Sequence, residues 1–179
     1  VESPPTRHDS PSELFAFEKY LLLDPYTGLD ATTPGTLTFW VRCPLLRAPM
    51  TAAAAAALCA AVRSAPNASC YVNLQHCGGA ASQTSLSRGC FGTRDWEWSA
   101  VVTGVYIDPQ DAAVVRAWVN ATVHDLLPHA SGTYCVDLGP DDSALAALAF
   151  GEDDRQRLRA TKAAYDPAGL LTLALPIVE

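Results

Sequence analysis

From Thr36 to Cys43 the chain alternates, with Leu37, Phe39 and Val41 set against Thr36, Thr38, Trp40 and Arg42. That is the period of a strand with two unlike faces. A second alternating run, Cys70 to Cys77, carries Tyr71, Asn73 and Gln75 on one face. A third, Trp96 to Ile107, is longer and more apolar. Thr51 to Val62 is almost all alanine, with Pro49 ahead of it and Pro66 behind, which predicts a helix with clear start and stop signals. Asp108-Pro109 opens a second helix over 110–127, on which Val115, Trp118 and Val119 lie opposite a stripe of Arg116, Asn120 and His124. Extended sequence follows from Tyr134 to Leu138, then two helical pieces at about 141–150 and 152–164. An apolar stretch from Leu14 to Leu23 precedes all of these, and the apolar tail Leu170 to Val178 follows them.

Strands that pair over distance, with helices grouped on one side, predict an α+β fold: a mainly antiparallel sheet with helices packed on one face. Residues 1–12 are polar and proline-bearing and read as an exposed arm or a cleaved linker. The sheet and its helices occupy 13–131, and 132–179 forms a C-terminal segment with short helices. At 179 residues this is one domain's worth of chain, enough to bury roughly 70% of the surface of its unfolded form. It could hold a cofactor-binding unit or a substrate-binding unit but scarcely both.

Hydrophobic residues make up 49% and charged residues 17%, so the composition is that of a folded chain, and no apolar run nears the roughly 20 residues of a membrane span. Lys+Arg 12 against Asp+Glu 19 leaves −7, the wrong sign for neutralising phosphates, so nucleic acid is not an expected partner. Six cysteines, at 43, 59, 70, 77, 90 and 135, contain no C-x-x-C pair, and the four histidines show no metal spacing. No metal site is expected. The even cysteine count beside two glycosylation sequons, at Asn67 and Asn120, suits a secreted, disulfide-bonded glycoprotein, although so short a sequon also arises by chance. Cys70 and Cys77 flank one strand at a separation of roughly 20 Å, too far to pair with each other.

His76 and Cys77 are neighbours on a strand and so point to opposite faces, which excludes a base–nucleophile pair by position alone. Asp141-Asp142 and Glu152-Asp153-Asp154 fall at helix starts and read as caps that complement the dipole. The polar–aromatic faces of the two alternating strands are either solvent-exposed sheet or the floor of a ligand cavity; in the second case Trp40, Tyr71, Asn73 and Gln75 contact substrate.

Five segments occur in a telling order. They are Gly78-Gly79-Ala80, Phe91-Gly92-Thr93-Arg94-Asp95-Trp96, Ala100 to Tyr106, Gly132-Thr133-Tyr134-Cys135-Val136-Asp137-Leu138-Gly139-Pro140-Asp141, and Ala149-Phe150-Gly151 followed by Arg157 to Pro167. Together they resemble the C-terminal half of FAD-linked oxidases of the berberine-bridge-enzyme-like group, in the vanillyl-alcohol-oxidase superfamily.

The resemblance implies a substrate domain whose sheet lies over a flavin held by a separate FAD-binding chain or domain, with 132–179 approaching it. Joined to the secretory reading of the cysteines and sequons, it implies a secreted heterodimer that oxidises an alcohol, sugar or secondary metabolite with O2 as acceptor. Tyr134 matches the tyrosine of the group's Tyr-x-Asn segment, which makes it the candidate catalytic residue and, with Val136 and Asp137, a cofactor contact. Two departures stand out. Val136 replaces the asparagine, and Ala100-Val101-Val102 falls where many members carry a Glu or Gln. Tyr134 can act as a base only if its surroundings lower its pKa; otherwise it is a hydrogen-bonded sheet tyrosine. The alternative that the departures favour is a non-catalytic secreted binding protein retaining the oxidase fold. A disulfide-bonded secreted domain with no relation to flavin is the remoter alternative.

Overall fold

The computed structural model describes residues 37–79, 94–138 and 142–170. The arm at 1–12, the stretch at 14–23, Cys90 and the tail from 171 lie outside them. Contacts divide the chain between residues 38 and 39, and the architecture described here is that of the second unit.

Among the described residues five strands and four helices follow in order: β1 (Thr38–Arg42), β2 (Pro44–Leu46), α1 (Ala52–Arg63), β3 (Tyr71–His76), β4 (Trp98–Tyr106), α2 (Ala112–Leu126), β5 (Ala130–Thr133), α3 (Ser143–Ala149) and α4 (Glu152–Tyr165). The α+β class with an antiparallel sheet is as the periodicity predicts. β4 is the hub. Along one edge it pairs antiparallel with β3, from Tyr71↔Thr103 to His76↔Trp98. Its other edge meets β1 and β2, and β2 passes the sheet on to β5.

Two elements differ from the sequence pattern. The first strand breaks at Cys43 and resumes as β2, a three-residue strand that Pro44 had hidden, since proline donates nothing to a ladder and reads as a stop. The extended segment expected at 134–138 lies four residues earlier, as β5, and 135–137 is instead a single 3₁₀ turn. Gly132, which weakens any local strand signal, sits opposite Leu45 in that ladder, so pairing overrides propensity there.

The helices form as predicted. Thr51 caps α1, its Oγ1 accepting from the Ala54 N–H at 3.1 Å. α2 begins behind Asp108, whose Oδ1 accepts from Gln110 N at 2.9 Å in a preceding 3₁₀ turn. Val115, Trp118, Val119, Val123 and Leu126 of α2 are buried against Ala100 and Val102 of β4, Leu46 of β2 and Leu58 of α1. Arg116, Asn120 and His124 face outward. The Trp118 indole N–H donates to the Ala61 carbonyl at 3.0 Å and so ties α2 to the last turn of α1. A smaller cluster of Leu138, Ala146 and Ala149 seats α3, and the Thr133 hydroxyl donates to the Leu145 carbonyl at 3.1 Å.

α2 lies so close to β4 that only glycine fits at 104. A Cβ there would overlap Val115 Cγ1 and stand 2.9 Å from Val119 Cγ2, both on a helix whose position the core fixes. Gly104→Ala should therefore destabilise the chain by about 1–3 kcal/mol. Urea denaturation of Gly104→Ala, Val115→Ala and the double variant checks the cause: the double variant should lose less than the sum of the singles. Equal midpoints for wild type and Gly104→Ala would overturn it.

Candidate functional site

Side chains of β4 alternate between two environments. Ala100, Val102 and Gly104 face the helices, while Ser99, Val101 and Thr103 share the opposite face with Gln75, Asn73 and Tyr71 of β3 through the antiparallel register. On that second face opens a cleft of about 430 Å³, lined by Cys43, Leu45, Gln75, Trp96, Ser99, Val101, Tyr134 and Asp137, with His76 and Cys77 at its β3 end. The His76 ring packs edge-on against Trp98, centroids 4.8 Å apart.

The break at Cys43 builds one wall. The Tyr134 N–H donates to the Cys43 carbonyl at 2.9 Å, which extends the β2–β5 pairing by one residue before the 135–137 turn lifts the chain over the cleft. Tyr134 is 38% exposed there. Asp137 is half-buried at the same end, and burial raises its carboxyl pKa above the usual range, with the Arg42 guanidinium pulling the other way. Cys43 is buried with Sγ 3.2 Å from Ser99 Oγ, and burial pushes its thiol up to about 11.

Behind the turn sits a group that the alternation had placed on a polar face. Arg42 is only 4% exposed. One of its terminal nitrogens donates to the main-chain carbonyls of Val41 at 2.6 Å and Asp137 at 3.0 Å, and the other pairs with Asp142 Oδ2 at 2.5 Å. Its plane lies 4.3 Å from the Trp40 ring centroid, which takes the Arg116 guanidinium at the same distance. Asp142, expected to cap α3, makes no cap hydrogen bond and serves as this counter-ion instead. The second acidic run does sit in the first turn of α4, where Glu152 pairs with Arg155 and with Arg159 at 3.2 Å. The visible clue to the buried pair was one arginine in the otherwise uncharged run Thr36–Leu46.

The expected contacts are therefore divided. Gln75, Tyr134 and Asp137 meet at the cleft, and Tyr71 and Asn73 lie further along its face. Trp40 is on the helix side, its indole N–H 3.4 Å from Asn120 Oδ1. Val136 is 69% exposed and is not among the lining residues. Of the apolar run 100–102 only Val101 faces the cleft. The Asn67 amide is engaged on both sides: Nδ2 donates to the Val105 carbonyl at 3.0 Å, and Oδ1 accepts from Ser69 and Cys70 N–H. A glycan there would leave the nitrogen one N–H, so the Val105 bond and the sugar would have to share that nitrogen. The disulfide framework expected from the cysteine count is not found among the described residues, where Cys43, Cys59, Cys70, Cys77 and Cys135 are free. Cys43 and Cys70 are buried and fill space as small hydrophobes, the Cys70 thiol packing on the Val105 backbone. No grouping of metal ligands occurs among the described residues.

Among the described residues α1 and α2 pack on one face of the antiparallel sheet and the cleft opens on the other, and this fold matches one part of a berberine-bridge-enzyme-like protein. Solved structures of Physcomitrella patens BBE-like 1, the wild type and an Asp-to-Asn variant, match this chain with a TM-score of 0.68 at 16% identity. The matches cover 84% and 85% of this chain and 33% of each of those chains, so the chain spans about a third of the length of the structures it matches. No protein-family model and no curated protein matches the sequence.

Because the folded state holds Cys43 as a neutral thiol, its stabilising contribution is complete below pH 9, the unfolded value, and is lost as pH rises through about 11. Wild-type unfolding free energy should fall across that window by on the order of 2 kcal/mol more than that of Cys43→Ala. Iodoacetamide at pH 8 should label exposed Cys59 well before Cys43. Parallel pH curves, or early labelling of Cys43, would contradict this.

Proposed function

We propose that this chain is the substrate-side part of a secreted FAD-dependent oxidase, working with a separate FAD-binding chain and oxidising an alcohol, sugar or secondary metabolite with O2 as acceptor. The observation that carries this reading is the cleft on the face of the sheet opposite α1 and α2, in a sheet with the berberine-bridge-enzyme-like fold. Its lining fits an uncharged ring with a few polar groups, since Trp96 and Tyr134 offer aromatic surface and Gln75 and Asp137 offer hydrogen bonds. It does not fit a whole dinucleotide: no lysine or arginine is among the lining residues to meet a pyrophosphate. The separate chain supplies that part.

FAD, when bound, supplies the acceptor for the hydride. The chain's own task is to hold the substrate hydroxyl and take its proton as the C–H bond breaks. Tyr134, exposed in the cleft, hydrogen-bonds the substrate oxygen. Asp137 receives the proton; a carboxyl whose pKa is raised by burial binds a proton more tightly than an ordinary one once ionised. Leu45, Val101 and Trp96 exclude water from the bond being broken. A second reading, a secreted binding protein without catalysis, is favoured by Val101, which puts a hydrocarbon on the strand where the group's side-chain base is expected.

The test is the native complex and its absorbance. A second polypeptide on a denaturing gel, a flavin spectrum, and anaerobic bleaching by one member of an alcohol and oligosaccharide panel are expected. Asp137→Asn should slow that bleaching about 10²-fold. A colourless protein with no partner would overturn the oxidase reading. Flavin that no substrate bleaches would favour the binding protein.

A further inference from the structure

Arg42 is the one charged side chain in the described sheet that is almost wholly buried, and its contacts join the helix side of the sheet to the turn over the cleft. On one side its guanidinium rests on Trp40, which α2 holds through Arg116 and Asn120. On the other it grips the Asp137 carbonyl, at the last residue of the turn over the cleft, and Asp142, the residue ahead of α3. An isolated buried guanidinium is costly, so the turn and the start of α3 cannot both leave without stranding it. The fork geometry matters here, because one planar group bonds to three partners at once, which an ammonium cannot reproduce.

We propose that Arg42 is a positioning residue for the cleft: by bonding the Asp137 carbonyl and Asp142 together, it sets the 135–137 turn and so places Tyr134 and Asp137 over the sheet. The consequence for the reaction rests on the oxidase reading above; the positioning itself does not. The groups facing Asp137 are Arg42 from β1, Cys43 from the strand break, and His76 and Cys77 across the cleft. Tyr134 and Cys135 lie on its own segment, and Asp142 acts on it through Arg42. Among these Arg42 is the cation that favours the ionised carboxyl, opposing the rise that burial causes.

Two variants should therefore move the Asp137 carboxyl in opposite directions. Arg42→Met removes the cation and its bonds, and the titration midpoint should rise. Asp142→Asn leaves the guanidinium uncompensated, and the midpoint should fall. Arg42→Lys, with the charge but not the fork, should lie between wild type and Arg42→Met. The readout is the side-chain carboxyl signal in carbon-13 NMR of the full chain, assigned by its loss in Asp137→Asn, with amide spectra confirming the fold. A purely electrostatic role for Arg42 would leave Arg42→Lys at the wild-type midpoint, because the charge stays and only the fork is lost; that result also overturns the proposal. An unmoved midpoint in either folded variant, or shifts of the same sign, overturns the proposal; if Arg42→Met does not fold, the Asp142→Asn shift decides. Neither flavin nor substrate is needed, so a failed oxidase reading leaves this outcome intact, and an unmoved midpoint beside a bleachable flavin removes the role of Arg42 alone.

Discussion

A strand paired along both edges has no freedom to tilt, so whatever lies on its two faces must come to it. β4 is held this way by β3 on one side and by β1 and β2 on the other. One face is made smooth enough, by Ala100, Val102 and Gly104, for α2 to lie almost on the backbone. The other face keeps Ser99, Val101 and Thr103 and, near its start, opens on the cleft. Since side chains alternate strictly, these two functions belong to one strand and cannot drift apart: a slip of one residue would turn Val101 into the core and Ala100 toward the cleft.

The break at Cys43 is what gives the cleft its wall. A continuous strand from Thr38 to Leu46 would carry the sheet straight on. Pro44 withholds one ladder donor, and the chain resumes pairing with β5 as its second partner. β5 then ends at Thr133 and the chain climbs over the sheet edge, carrying Tyr134 and Asp137 with it. Such a turn has few contacts of its own, and its 3₁₀ geometry is a weak local preference. Its position comes from outside: the Tyr134 N–H on Cys43, Leu138 in the small core under α3, and the guanidinium of Arg42.

That buried charge illustrates a trade. Replacing an ion pair of this kind by hydrocarbon often leaves stability unchanged or improves it, so the Arg42–Asp142 contact is weak evidence of a stabilising role. What it supplies is direction, because three acceptors must meet one planar group. The same burial that makes the pair demanding also raises the carboxyl of Asp137 and the thiol of Cys43. In both groups burial is the larger cause of the rise, ahead of any one neighbour.

Most of the secondary structure, the α+β class, the helix starts near Thr51 and after Asp108-Pro109 and the buried stripe of α2 are legible in the sequence, because each depends on spacing within one segment. So is the order of segments that points to an oxidase fold. Gln75, Tyr134 and Asp137 could be named as candidates from strand alternation and from that order, but not placed together, since they lie on segments some sixty residues apart. Tertiary structure alone decided which face Trp40 takes, that β2 and β5 exist as short strands, that Asp142 answers Arg42 rather than capping α3, and that the described cysteines stand free. In each case the local signal is poor or ambiguous. A three-residue strand, an acid before a helix and a small thiol each suit several environments, and only a partner brought from far along the chain selects one.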